Sequence, residues 1–199
     1  MTVSFETHPF GLSWTVREAM TRTSHALVDD GRVWLVDPVD EPEALGRVAA
    51  LGTPAGVLQL LDRHRRDCAA IAARLSVPHL ENPSEIPGAP FEALPVLRLP
   101  KWKETALWWP ERRVLVVAET VGTNPLWAAG SGPAGVHPML RLLPPGRLRG
   151  IQPEHLLVGH GEGVHGGAAA AGLEGAYRRS RRDLPSLAAR LPAMIRSGR

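Results

Sequence analysis

With 199 residues, 44% of them apolar and 22% charged, the chain is long enough to bury a two- or three-layer core and too apolar to be disordered. Its formal charge is +3 and its calculated pI near 9.7. No apolar run approaches the roughly 18 residues of a membrane span, and Met1 to His8 lacks a basic region followed by an apolar core, so neither a spanning segment nor a signal peptide is expected.

Leu12 to Val16 alternates and predicts an early strand. Two β-rich runs, Ser24–Asp29 and Arg32–Val36, flank Asp30-Gly31, a strong hairpin signal because glycine supplies the positive φ. The second run ends in Asp37-Pro38. Glu41 to Leu51 predicts a helix, with Pro42 in its first turn and acidic residues complementing the dipole.

Ala55 to Leu61 is a buried-looking apolar run that stops at Asp62-Arg63-His64-Arg65-Arg66-Asp67, then passes into a helix from Cys68 to Leu75. A strand-to-helix turn of this kind is exposed and held by a rigid sheet, which is where layered α/β folds place chemistry. Asp67 suits a helix N-cap as well as a ligand. Residues 79–93, rich in proline and glycine, read as an irregular loop.

Strands follow at Leu94–Leu99, Thr105–Trp109 and Val114–Glu119. Trp102 fits either core or cleft lining, and alternation sends Trp108 and Trp109 to opposite faces. His137 to Leu143 suggests one or two helical turns. Glu154 to Gly161 is a short strand running into Gly159-His160-Gly161, and Val164–Tyr177 and Leu184–Ile195 read as helices, with His165 at the start of the first. The single Cys68 forbids an internal disulfide, suits the cytoplasm, and reads as a buried, inert thiol.

The opening hairpin with Asp37, the turn at 62–67, the later hairpin ending in Glu119, and Gly159-His160-Gly161 come in the order found in metallo-β-lactamase-fold proteins, the superfamily that includes glyoxalase II. The chain resembles that superfamily over about residues 14 to 180. The resemblance implies a single domain over 1–199 with a four-layer α/β/β/α sandwich. It also implies a cleft at the strand ends lined by Asp62, His64, Arg66, Asp67, Trp102, Glu119 and His160.

Family hydrolases use zinc or iron to make hydroxide at neutral pH. Laid on the family's His-x-His-x-Asp-His motif, residues 62–67 keep only His64, while Arg66 replaces the aspartate and Trp102 replaces a later histidine. Neither replacement has a lone pair for a metal. Asp62, His64, Asp67, Glu119 and His160 remain as candidate ligands. Arg66 is expected to pair with Glu119 or Asp62 and neutralise the cleft without metal.

The expected function is therefore that of a binding or interaction protein with a degenerate centre. A metal-dependent ester or thioester hydrolase with an atypical ligand set is the alternative. No cofactor is expected, although zinc stays open, and a small molecule is the natural ligand. Arg178, Arg179, Arg181 and Arg182 cluster, but an arginine-rich, lysine-poor surface beside abundant Ala, Gly and Pro reads as solvated, so nucleic acid is not expected.

Overall fold

The computed structural model describes residues 2–18, 20–64, 66–186, 188 and 189. Six strands form the first sheet in the order in which they occur in the chain. They are β1 (Thr2–His8), β2 (Gly11–Arg17), β3 (Arg22–Asp29), β4 (Arg32–Val36), β5 (Thr53–Gln59) and β6 (His79–Glu81). The first four pair antiparallel, then β5 and β6 add in parallel. The β3–β4 turn takes Asp30 and Gly31 at φ of 45° and 71°, the positive-φ pair that a two-residue hairpin demands.

Between β4 and β5 runs α1 (Pro42–Ala49), whose N-cap Glu41 accepts from the Ala44 N–H at 2.7 Å. Between β5 and β6 runs α2 (Cys68–Leu75). Two features depart from the sequence reading. His79–Glu81, expected as loop, pairs in register with Val57–Gln59. Val164–His165, expected as the start of a helix, is a strand.

The second sheet contains β7 (Glu92–Leu99), β8 (Trp102–Trp109), β9 (Val114–Val117), β12 (His155–Val158) and β13 (Val164–His165), in the order β13-β12-β9-β8-β7. A small pair, β10 (Val121–Gly122) with β11 (Gly135–Val136), brackets the short α3 (Pro125–Ala128). The helix α4 (Gly167–Arg179) covers the second sheet. The helix expected over Leu184–Ile195 lies largely outside the described residues.

Period-two alternation decides the layers. Along β4, Val33 and Leu35 face α1 and α2, together with Trp14, Ala44, Val57 and Ile71. Trp34 and Val36 face inward, with Leu27, Leu58 and Leu107, and meet the second sheet. Helices outside, sheets inside, is the α/β/β/α sandwich. No helix among the described residues is long and apolar enough to cross a membrane.

Candidate functional site

The two sheets join at one end. The start of β3 meets the continuation of β12 through Thr23 N–H to Gly159 O (2.9 Å) and Gly161 N–H to Thr21 O (3.2 Å). The end of β5 meets β8 through Thr105 N–H to Leu60 O (2.9 Å) and Asp62 N–H to Lys103 O (3.2 Å). The two glycines beside His160 have steric work here. A Cβ on Gly159 would overlap the Ala118 carbonyl, and Gly161, at φ 112°, lies against Thr123 and Asn124. His160 is thereby pressed into the junction.

His64 Nε2 and His160 Nε2 are 3.2 Å apart, and one ligand atom from each of His64, Glu119 and His160 lies within 4.8 Å of the others. The hydrogen-bond partners fix the tautomers. His160 Nδ1 sits 2.9 Å from Met20 O, and a carbonyl only accepts, so Nδ1 carries the proton. His64 Nδ1 lies 3.2 Å from Asp37 Oδ2, with the carboxylate accepting in the same way. For neutral rings, both Nε2 atoms are then bare and face each other.

Both rings are held neutral. Burial, then the neighbouring His64 and Arg66, pushes His160 down to about 3. Burial and Arg66 also lower His64, and outweigh Asp37. Burial would raise the Asp37 carboxyl, but His64, Arg66 and the Leu60 N–H (3.1 Å) hold it below the ordinary range. Asp37 is anchored at φ 44°, a left-handed conformation that aspartate tolerates better than most residues.

Around this core, Glu119 accepts from Arg63 at 2.6 Å, and Arg63 stacks on Trp102 with 4.0 Å to the ring centroid. His137 accepts the Met139 N–H at Nδ1 (3.2 Å), so its protonated Nε2 faces Glu119 at 3.7 Å. Trp127 stacks on His160 at 4.8 Å. Beneath Glu119, the fully buried Glu104 accepts from the Glu119 N–H and from the Thr120 N–H and hydroxyl. Burial raises its pKa to about 7.

Of the residues singled out from sequence, the structure brings together His64, Glu119 and His160, with Trp102 as a wall. Asp62 is not among the converging donors, and its buried Oδ1 has no partner among the described residues. Asp67 turns away, accepting the Asp40 N–H at 2.8 Å. It sits at the N-cap position of α2 but makes no capping bond.

Arg66 corrects the expected carboxylate pairing. Its guanidinium donates to three backbone carbonyls: Thr23, Asp37 (2.9 Å) and Gly159 (2.8 Å). The Gly159 and Asp37 carbonyls also accept the Thr23 N–H (2.9 Å) and the Ser24 hydroxyl (2.8 Å), so Arg66 adds a charged donor that ties three strand ends together, while Glu119 is taken by Arg63. Cys68 is buried, and burial raises its thiol pKa, in keeping with an inert role. His137, Arg63, Trp127 and Glu104 carried no motif that would have marked them.

No family model matches the sequence, and no curated protein matches it. The structure is similar to solved β-lactamase structures. With DIM-1 metallo-beta-lactamase exposed to ceftazidime, the TM-score is 0.57 at 12% identity, covering 89% of this chain and 97% of that one. With TMB-1 it is 0.59 at 8% identity, covering 94% and 98%. With VMB-1 at pH 5.5 it is 0.56 at 8% identity, again covering 94% and 98%. The likeness runs the length of both partners, and the chain has the metallo-β-lactamase fold.

Proposed function

We propose that this protein uses the metallo-β-lactamase fold to hold one divalent metal ion on His64, His160 and Glu119, with Arg66 in place of a second ion, and that it binds a small molecule there. The observation that carries the reading is the pair of bare Nε2 atoms at 3.2 Å, each fixed by an acceptor on its Nδ1. Two lone pairs in contact repel unless a cation lies between them. A shared proton would make one ring an imidazolium, which burial and Arg66 oppose.

Tetrahedral zinc with Zn–N near ~2.1 Å places two ligand nitrogens about 3.4 Å apart, close to what is seen. Asp37 and the Met20 carbonyl act as the outer partners that orient metal-binding histidines. The cationic Arg66, strung between three carbonyls beside these rings, repels a second dication. Trp102, at the position where the resemblance implies a histidine, offers no lone pair. Together these features support a reduced centre in place of a dinuclear one.

A second reading, hydrolysis of an ester or related bond, is favoured by the donor count, since three protein ligands leave a position open. When bound, an ion of this kind supplies water of lowered pKa and polarises a carbonyl. Zinc titration followed by isothermal calorimetry tests the main reading. His160→Asn and His64→Asn should each abolish one equivalent of binding, and unchanged binding in both would overturn it. Turnover of a β-lactam or thioester by the zinc-loaded protein, lost in the same variants, would favour the hydrolase.

A further inference from the structure

We infer that Glu6, His8 and His165 form a second divalent-metal site, sharing no residue with the first, that fastens the edge strand β1 of one sheet to the edge strand β13 of the other. Glu6 and His8 are two residues apart on β1, so their side chains share a face. His165 ends β13. One donor atom from each lies within 4.8 Å of the others.

Proton placement shows why this cluster wants a cation. His155 Nδ1 and His165 Nδ1 are 2.8 Å apart, so they share one proton. If His165 supplies it, His165 Nε2 is bare and stands 2.8 Å from a carboxylate oxygen of Glu6, an unfavourable contact of two electron-rich atoms. If His155 supplies it, His165 Nε2 is an N–H, yet that nitrogen is buried and has no acceptor in hydrogen-bond alignment among the described residues. Either neutral tautomer leaves Nε2 without an aligned partner among the described residues, and a metal ion bridging it to Glu6 resolves the first.

The third donor, His8 Nε2, lies 4.0 Å from the other carboxylate oxygen of Glu6. It also contacts Ser13 Oγ at 2.9 Å, and Ser13 Oγ contacts His25 Nδ1 at 2.8 Å. His25 Nε2 must donate to Val158 O (3.2 Å), so Ser13 donates to His25, and its oxygen accepts from His8 when no ion is bound. Metal binding shifts the His8 proton to Nδ1, with no net release.

A cavity of about 260 Å³ lies beside Glu6, lined also by Ser4, Thr15, Glu162 and Gly163. A Cβ on Gly163 would press on the His165 imidazole at 2.7 Å from Nε2, so glycine leaves that nitrogen room. Two histidines and a carboxylate suit zinc, and nickel or cobalt equally. The consequence is structural: an ion here staples the N-terminal edge strand to the second sheet.

The test is zinc content of the full chain, measured by mass spectrometry after dialysis against buffered free zinc. Wild type should carry two equivalents, and His165→Asn or Glu6→Gln one, with unchanged circular dichroism. His64→Asn should also carry one, and His64→Asn combined with His165→Asn none. If His165→Asn and Glu6→Gln both retain the wild-type zinc content, the second site is refuted, whatever the His64 variant does. If zinc falls in the His165 variant but not in the His64 variant, the second site stands and the cleft reading fails.

Discussion

Replacing Arg66 by methionine keeps an apolar stem and removes the guanidinium. The carbonyls of Thr23, Asp37 and Gly159 then lose a charged donor, although Asp37 and Gly159 keep the Ser24 hydroxyl and the Thr23 N–H, and the buried Asp37 carboxylate loses its neighbouring positive charge. Hydrogen bonds to charged groups contribute about 1.5–3 kcal/mol each. Removing one partner from a buried charged arrangement costs about 3–5 kcal/mol, which is the figure expected here. In a chain of this size that lowers Tm by roughly 6–20 °C. Urea and thermal melts of wild type and Arg66→Met at pH 7 give the number. Arg66→Lys should fall between the two, because one ammonium cannot span three carbonyls. A loss below about 1 kcal/mol, the level of an exposed ion pair, would refute the idea that Arg66 holds the sheet ends together.

Three further outcomes are expected. Asp37→Asn should weaken zinc binding at the cleft about 10–100-fold by releasing His64 Nδ1, as read by competitive titration; unchanged affinity would remove Asp37 from the site. Stability should fall as pH drops from about 6.5 toward 3, because His25 and His160, both held near 3 by burial first, take up protons in the unfolded chain at about 6.5. Glu104 opposes this between about 4.5 and 7, since its folded pKa near 7 binds the proton more tightly in the native state; His64, His137 and His155 are lowered in the same direction as His25 and His160, so the histidines outweigh the one carboxyl and Glu104→Gln should steepen the loss. Stability that stays flat down to pH 4.5 would contradict those assignments. Gly159→Ala should destabilise the protein and abolish zinc binding at the cleft, because its Cβ would drive β12 from Ala118 and carry His160 with it; wild-type melting would show that the close approach is unimportant.

Much of the frame was legible because local chemistry specified it. Asp30-Gly31 wrote its turn in the positive φ it needed. The ordered resemblance grouped His64 with His160, 96 residues later in the chain, and their Nε2 atoms lie 3.2 Å apart. What escaped the sequence were contacts without a local signature. Arg66 finds backbone carbonyls, which every residue carries, so its partners could not be named from side-chain chemistry. His137 and Glu104 act through Glu119 and Thr120, which the β8–β9 turn and the loop through β10 bring alongside. β6 pairs over three residues in a proline-rich stretch, too short for periodicity to register. Asp67 occupied the expected N-cap position, yet the Asp40 N–H drew its carboxylate away.

The most direct test of the central claim is anomalous diffraction at the zinc edge from crystals of the zinc-loaded protein. One peak is expected in the cleft, bonded to His64 Nε2, His160 Nε2 and the Glu119 carboxylate, with Arg66 still on its three carbonyls and Arg63 displaced from Glu119. Two peaks in the cleft, or none with the two imidazoles still in bare contact, would contradict it.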